Sequence, residues 1–114
     1  MTKKITSWED FDKIDMRTGT IIKAELFKQA INPSYIIHVD FGEIGIKKTS
    51  AQITKNYKLK ELIGQQIIGL INLPKKQVAN IQSEFLILGA INDQLDNVVI
   101  IQPESMTKNG SKIC

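Results

Sequence analysis

Tyr35-Ile36-Ile37-His38-Val39-Asp40-Phe41 alternates along its length, with Tyr35, Ile37, Val39 and Phe41 on one side of an extended chain and Ile36, His38 and Asp40 on the other. Successive side chains of a strand point to opposite faces, so this run reads as a strand with one face in a core and one in water. Asn32-Pro33-Ser34 is the turn that opens it, and Gly42 to Gly45 punctuates its end. Residues 44–50 then read as its hairpin partner. Upstream, residues 16–28 are rich in Thr and Ile and form a longer strand, with Gly19 inside it as a bend or bulge. Downstream, KNYKLKEL (55–62) is the mid-chain helix, closed by Gly64 as the residue just past its end.

Three further strands follow over 66–73, 85–91 and 98–101, divided by a polar loop at 74–80 and by the turn residues Asn92-Asp93-Gln94 and Asp96-Asn97. At the N-terminus, Ser7 can cap a short helix over 8–13, whose Trp8 and Phe11 share one face at i, i+3 spacing. Asn109-Gly110 turns the chain once more and leaves Ile113 to anchor a tail. The connections are too short for parallel crossovers, so many short strands with one interposed helix predict a small closed barrel. The fold class is all-β: a five-stranded OB barrel with its helix between the third and fourth strands. One domain spans 1–114, with the barrel core at about 15–102 and short extensions at 1–14 and 103–114.

The chain of 114 residues is 42% hydrophobic and 24% charged, a globular balance. Fifteen basic residues against 12 acidic give a net charge of +3, which permits a polyanionic partner without demanding one. Arg17 is the sole arginine and aromatics are 6%, so neither bidentate phosphate recognition nor base stacking is richly supplied. No apolar run approaches the ~20 residues of a membrane span, and residues 1–6 lack the apolar segment of a signal peptide. The expectation is a cytoplasmic chain with no membrane insertion.

Catalytic chemistry is scarce. The single histidine, His38, shares a strand face with Asp40, a base–orienter spacing that reads better as a surface pair without a nucleophile nearby. Cys114 is the only cysteine and is terminal. No phosphate loop, dinucleotide fingerprint or zinc spacing is present, so no enzyme activity, cofactor or metal is expected.

Three segments can carry binding instead. Arg17 enters the first long strand, where it either meets a ligand or pairs with Asp15. Lys47, Lys48, Ser50 and Gln52 leave the third strand with ammonium, hydroxyl and amide groups suited to phosphate or peptide backbone, or to solvating a loop. Asn72, Lys75 and Lys76 together with Ser83 and Glu84 lie where the loops of an OB barrel rim its ligand face, unless they form an ordinary charged hairpin tip. The last three strands carry aliphatic residues on both faces, more than one small barrel hides. A second copy of the chain is the cover expected, with the terminal extensions, or simply scattered exposed aliphatics, as the alternatives.

DMRTGTI (15–21), IKKTSAQI (46–53) and NLPKKQVANIQSEFLILGA (72–90) together resemble the tRNA-binding-domain OB family. Ser50 to Tyr57, Ser83 to Gly89 and Asn109 to Ile113 are similar to its CsaA-type branch of export chaperones. The resemblance runs from about Trp8 to Ile113. It implies a homodimer built through the terminal extensions, with Trp8, Phe11 and Ile113 in the interface. It also implies unfolded preproteins or peptides as clients, the SecA export ATPase as a partner, and tRNA as the alternative ligand. The tRNA-binding members resemble one another in a Ser-Gln-Gly-Met run, of which this chain keeps Ser83 but carries Glu84, Phe85 and Leu86. A carboxylate in place of an amide repels phosphate, so polypeptide is the ligand expected and tRNA the weaker one.

Overall fold

In the computed structural model, which describes residues 2–114, the alternating run forms β2 (Tyr35–Asp40) and buries Tyr35, Ile37 and Val39. It pairs antiparallel on one side with β1 (Met16–Leu26) and on the other with β3 (Ile46–Ala51). A 3-10 turn, Gly42–Ile44, joins β2 to β3. β4 (Gln66–Leu70) pairs with β1, and β7 (Leu86–Ile87) with β4, so the main sheet has the order β3-β2-β1-β4-β7. Its two ends meet through residues 83–85: the Glu84 N–H donates to the Lys48 carbonyl at 2.9 Å, and the buried Thr49 Oγ1 donates to the Phe85 carbonyl at 2.7 Å. The result is a nearly closed five-stranded barrel of the OB type.

The helix expected over 55–62 shrinks to α2 (Leu59–Leu62), still between the third and fourth strands. Tertiary contacts win over helical spacing in its first half. The Tyr57 carbonyl accepts from the Tyr35 hydroxyl at 2.8 Å, and the Tyr57 hydroxyl accepts from the Ile100 N–H at 2.9 Å. The helix starts only at Lys58, whose N–H donates to the Glu61 carboxylate at 2.8 Å. The N-terminal helix α1 (Trp8–Asp12) forms where expected, with the Ser7 hydroxyl accepting from the Asp10 N–H at 3.0 Å.

Gly19 serves close approach and not a bulge. A Cβ there would sit 2.5 Å from Val39 Cγ1 and 2.8 Å from Phe41 Cδ1, so only glycine lets β1 lie against the core at that point. The irregularity of β1 falls later, between Ile21 and Lys23. The C-terminal tail packs across the outer side of β1 and β4. There Thr18 Oγ1 donates to the Lys108 carbonyl at 3.0 Å, Gln66 Nε2 to the Thr107 carbonyl at 2.6 Å, and the Ile113 N–H to the Met16 carbonyl at 2.9 Å.

Two hairpins project from the barrel. Residues 74–80 are not simply a polar loop: β5 (Lys76–Val78) turns at Ala79-Asn80 into β6 (Ile81–Ser83), with Ala79 at φ 48°. β8 (Gly89–Asn92) and β9 (Asn97–Ile100) make the second. In this region the two-faced apolar pattern divides cleanly. Phe85, Ile87, Val98 and Ile100 belong to the core or pack on it, whereas Leu86, Ile91, Val99 and Ile101 stay on the surface of the single chain.

Candidate functional site

One groove is bounded by the loops that follow the first and fourth barrel strands. The turn after β1 supplies Ala30, Ile31, Asn32 and Ser34, and the opposite wall is Leu73, Pro74 and the β5–β6 hairpin. Thr49, Ser50, Gln52, Ser83, Phe85 and Leu86 line the rest of a space of about 500 Å³. These two loops flank the ligand face of an OB barrel, so the place of the groove follows from topology. A second hollow of about 580 Å³ shares Asn32 and Gln52 with it and reaches the β8–β9 hairpin, where Lys55 pairs with Asp96 at 2.9 Å. That hydrogen bond and charge hold the exposed Asp96 carboxyl below its ordinary range.

The residues singled out from sequence divide into three groups. Ser50, Gln52, Lys76 and Ser83 line the groove. Ser83 is partly committed to the fold: its Oγ lies 2.7 Å from Thr49 Oγ1 and accepts from the Ser50 N–H at 3.3 Å. Lys76 has no carboxylate within ion-pair distance among the described residues.

A second group holds the scaffold. Arg17 donates from Nε to Asp15 at 2.7 Å and from a terminal nitrogen to the Gly110 carbonyl at 3.1 Å, clamping the start of β1 to the tail. Asn72 accepts from the Asp15 N–H at 2.9 Å and donates to the Lys13 carbonyl at 2.6 Å, which ties the end of the α1 segment to the barrel. Glu84 accepts from the Lys48 N–H at 3.0 Å and faces Lys75 at 3.9 Å.

Lys47 and Lys48 are separated by the pleat. Lys47 lies opposite Val39 on the inward face, and Lys48 opposite His38 on the outward face, so the two ammonium groups do not act as a pair. Not named as site residues from sequence are Ile31, Leu73, Pro74, Val78 and Leu86, the apolar walls of the groove. Leu73, Pro74 and Leu86 nevertheless lie within the candidate segments 72–76 and 83–86. The sequence signal that could have found the first wall is Ile31 directly before the turn Asn32-Pro33, an aliphatic in a turn that the fold leaves fully exposed.

His38 sits across the sheet from Lys23 on one side and Lys48 on the other, and its Nδ1 is buried without a partner. Burial, then Lys23, with a smaller push from Lys48, hold its pKa below the ordinary 6.5, against opposition from Glu25 and Glu84. The folded state therefore favours neutral His38. Its contribution to stability is complete above pH 6.5 and is lost as pH falls toward the depressed value. Urea titrations from pH 8 to pH 5 should show the parent losing more stability than His38→Gln. Equal slopes for the two proteins would contradict this.

Residues 16–112 match the family described as "Putative tRNA binding domain". The chain belongs to this family. A structure of the chaperone CsaA from Bacillus anthracis superposes with a TM-score of 0.92 at 45% identity, covering 97% of this chain and all of that one. The CsaA chaperone protein from Picrophilus torridus does so with a TM-score of 0.89 at 44% identity, over 96% of this chain and all of its own. These likenesses put the chain in the CsaA-type branch. Among curated relatives, a methionine–tRNA ligase from Methanococcoides burtonii is 32% identical over 111 residues, 97% of this chain. The chain spans only 16% of that ligase, so the similarity is to one segment of it. No helix among the described residues is long and apolar enough to cross a membrane.

Proposed function

We propose that this protein is a non-enzymatic, cytoplasmic chaperone, acting as a homodimer, that holds extended apolar segments of unfolded polypeptide in the groove between the β5–β6 hairpin and the Ile31 turn. The clients implied by the CsaA-type branch are preproteins, with the SecA export ATPase as the partner that receives them. The observation that carries this reading is the lining of the groove: Ile31, Leu73, Pro74, Val78, Phe85 and Leu86 give it continuous apolar walls. Its polar groups are neutral hydroxyls and amides apart from Lys76, and that ammonium has no carboxylate partner among the described residues. Such a surface suits aliphatic side chains far better than a polyphosphate backbone.

The test is suppression of aggregation of a chemically denatured client without ATP. Leu73 is half-exposed, so Leu73→Glu should leave the fold intact. It should weaken suppression by about tenfold or more, the equivalent of about 1.4 kcal/mol. No suppression by the parent at a stoichiometric ratio would overturn the reading. The family match and the two lysines at 75 and 76 favour tRNA as the second reading. That reading predicts sub-micromolar binding of bulk tRNA with a steep salt dependence, abolished by Lys75→Glu with Lys76→Glu.

A further inference from the structure

We propose that the free outer edge of β5 takes an extended, apolar polypeptide segment as an added strand, with Gln77 and Lys75 supplying the main-chain hydrogen bonds. This rests on the polypeptide reading of the groove and states how the ligand is gripped. In an antiparallel pair, alternate residues exchange both main-chain bonds with the partner, and those between them turn N–H and C=O to the opposite edge. β5 and β6 are joined by the two-residue turn Ala79-Asn80, so Val78 with Ile81 and Lys76 with Ser83 are the bonded pairs, and Gln77 with Gln82 lies between them. The N–H and C=O of Gln77 therefore face away from β6. No hydrogen bond outside the ladder uses them among the described residues. Lys75, two residues earlier and exposed, lies just outside β5, and no hydrogen bond uses its main-chain groups among the described residues. Four open groups spaced by two residues suit strand addition.

The outer edge of β3 is closed. On β3 the Lys48 N–H is taken by the Glu84 carboxylate at 3.0 Å, the Lys48 carbonyl by the Glu84 N–H at 2.9 Å, and the Ser50 N–H by Ser83 Oγ at 3.3 Å. An occupant strand at β5 would present alternate side chains to Leu73, Val78 and Leu86. The unpaired Lys76 ammonium makes an acidic residue among them a favourable complement. Charge and main chain thus select one occupant, an extended peptide carrying apolar residues and a carboxylate.

The probe is an acetylated, amidated heptapeptide of alternating leucine and polar residues with one glutamate, added to the isotope-labelled full chain. On binding, the Gln77 and Lys75 amides should exchange with solvent about tenfold more slowly or better, while Lys76 and Val78 change little. N-methylating alternate amides of the peptide should abolish binding in one parity and be tolerated in the other. If the peptide binds with Gln77 unchanged and both methylated sets bind equally, strand addition is wrong while the polypeptide reading of the groove stands. If the parent chain does not bind the peptide at all, both fail. Protection of Gln77 that grows with protein concentration alone would make a second copy the occupant, and would overturn the proposal.

Discussion

Phe41→Ala is expected to cost about 3–5 kcal/mol, the largest loss from any single side chain in this barrel. Phe41 is fully buried and meets Phe85 edge-on, with ring centroids 5.0 Å apart and planes at 86°. Its ring also occupies the space left by two glycines. A Cβ at Gly19 would lie 2.8 Å from Phe41 Cδ1, and one at Gly69 would lie 2.7 Å from its Cζ. β1 and β4 are therefore brought against one aromatic ring, and neither glycine has a side chain that could relax into the void. The cavity should stay nearly full size, which places the cost toward the upper end of the range. A domain of this size holds about 5–15 kcal/mol in all, so the variant sits near its unfolding midpoint under mild denaturant. Urea unfolding followed by the Trp8-independent far-ultraviolet signal would measure it, and a loss under about 1.5 kcal/mol would mean that the ring is not the keystone of the core.

The same core explains what could be read in advance. The period of two in 35–41 is a local signal, and the buried face of β2 follows from it directly. Order and connection length then limited the architecture to a closed barrel with its helix in one place. The shortened α2 was hidden because its cause is distant. Tyr57 is drawn into the core by hydrogen bonds to residues 22 and 43 positions away, and no local propensity encodes them. Gly19 looked like a bulge because glycine in a strand signals either a kink or a close neighbour, and only the third dimension shows which.

The ligand site was legible by chemistry and less so by geometry. Polar and charged residues were picked because their groups bind things, yet Arg17 and Asn72 turn their groups on the protein's own backbone. Neighbours in sequence such as Lys47 and Lys48 are parted by the pleat. The apolar walls escaped because an exposed aliphatic is unremarkable until several of them face one another. The β5–β6 hairpin stands in the sequence only as the alternative of a charged tip, because Ala79-Asn80 lacks the glycine that usually marks a two-residue turn.

Replacing both Trp8 and Phe11 with alanine is expected to convert the proposed dimer, twice 12.8 kDa, into single chains at a modest cost to each chain's own stability. The two halves of that expectation come from one fact: in the single chain α1 buries none of its residues, and Trp8 is 87% exposed. Trp8 touches little, so its removal costs within about 0.5 kcal/mol for the folded monomer. Phe11 is 36% exposed, and its truncation adds a loss on the order of 1 kcal/mol. Ile5 and Ile14 flank Trp8 and Phe11 with further exposed apolar surface, and Ile91, Leu95, Val99 and Ile101 expose more on and beside the β8–β9 hairpin. A single chain in water rarely carries so much uncovered aliphatic and aromatic surface unless a partner covers it. For a two-fold dimer each substitution counts twice. Aromatic anchors at interface centres are worth about 2 kcal/mol or more each, so the pair of Trp8 side chains alone should raise Kd by about a thousandfold. Sedimentation equilibrium over a concentration series reads the outcome directly. A parent that stays at 12.8 kDa at high micromolar concentration would remove the homodimer from the proposed function, and a double variant that still dimerises would move the interface away from α1. Because the groove between Ile31 and Leu73 includes neither residue, the monomeric variant should still bind a single short peptide. It should lose only the added avidity by which two grooves on one particle hold a longer unfolded chain.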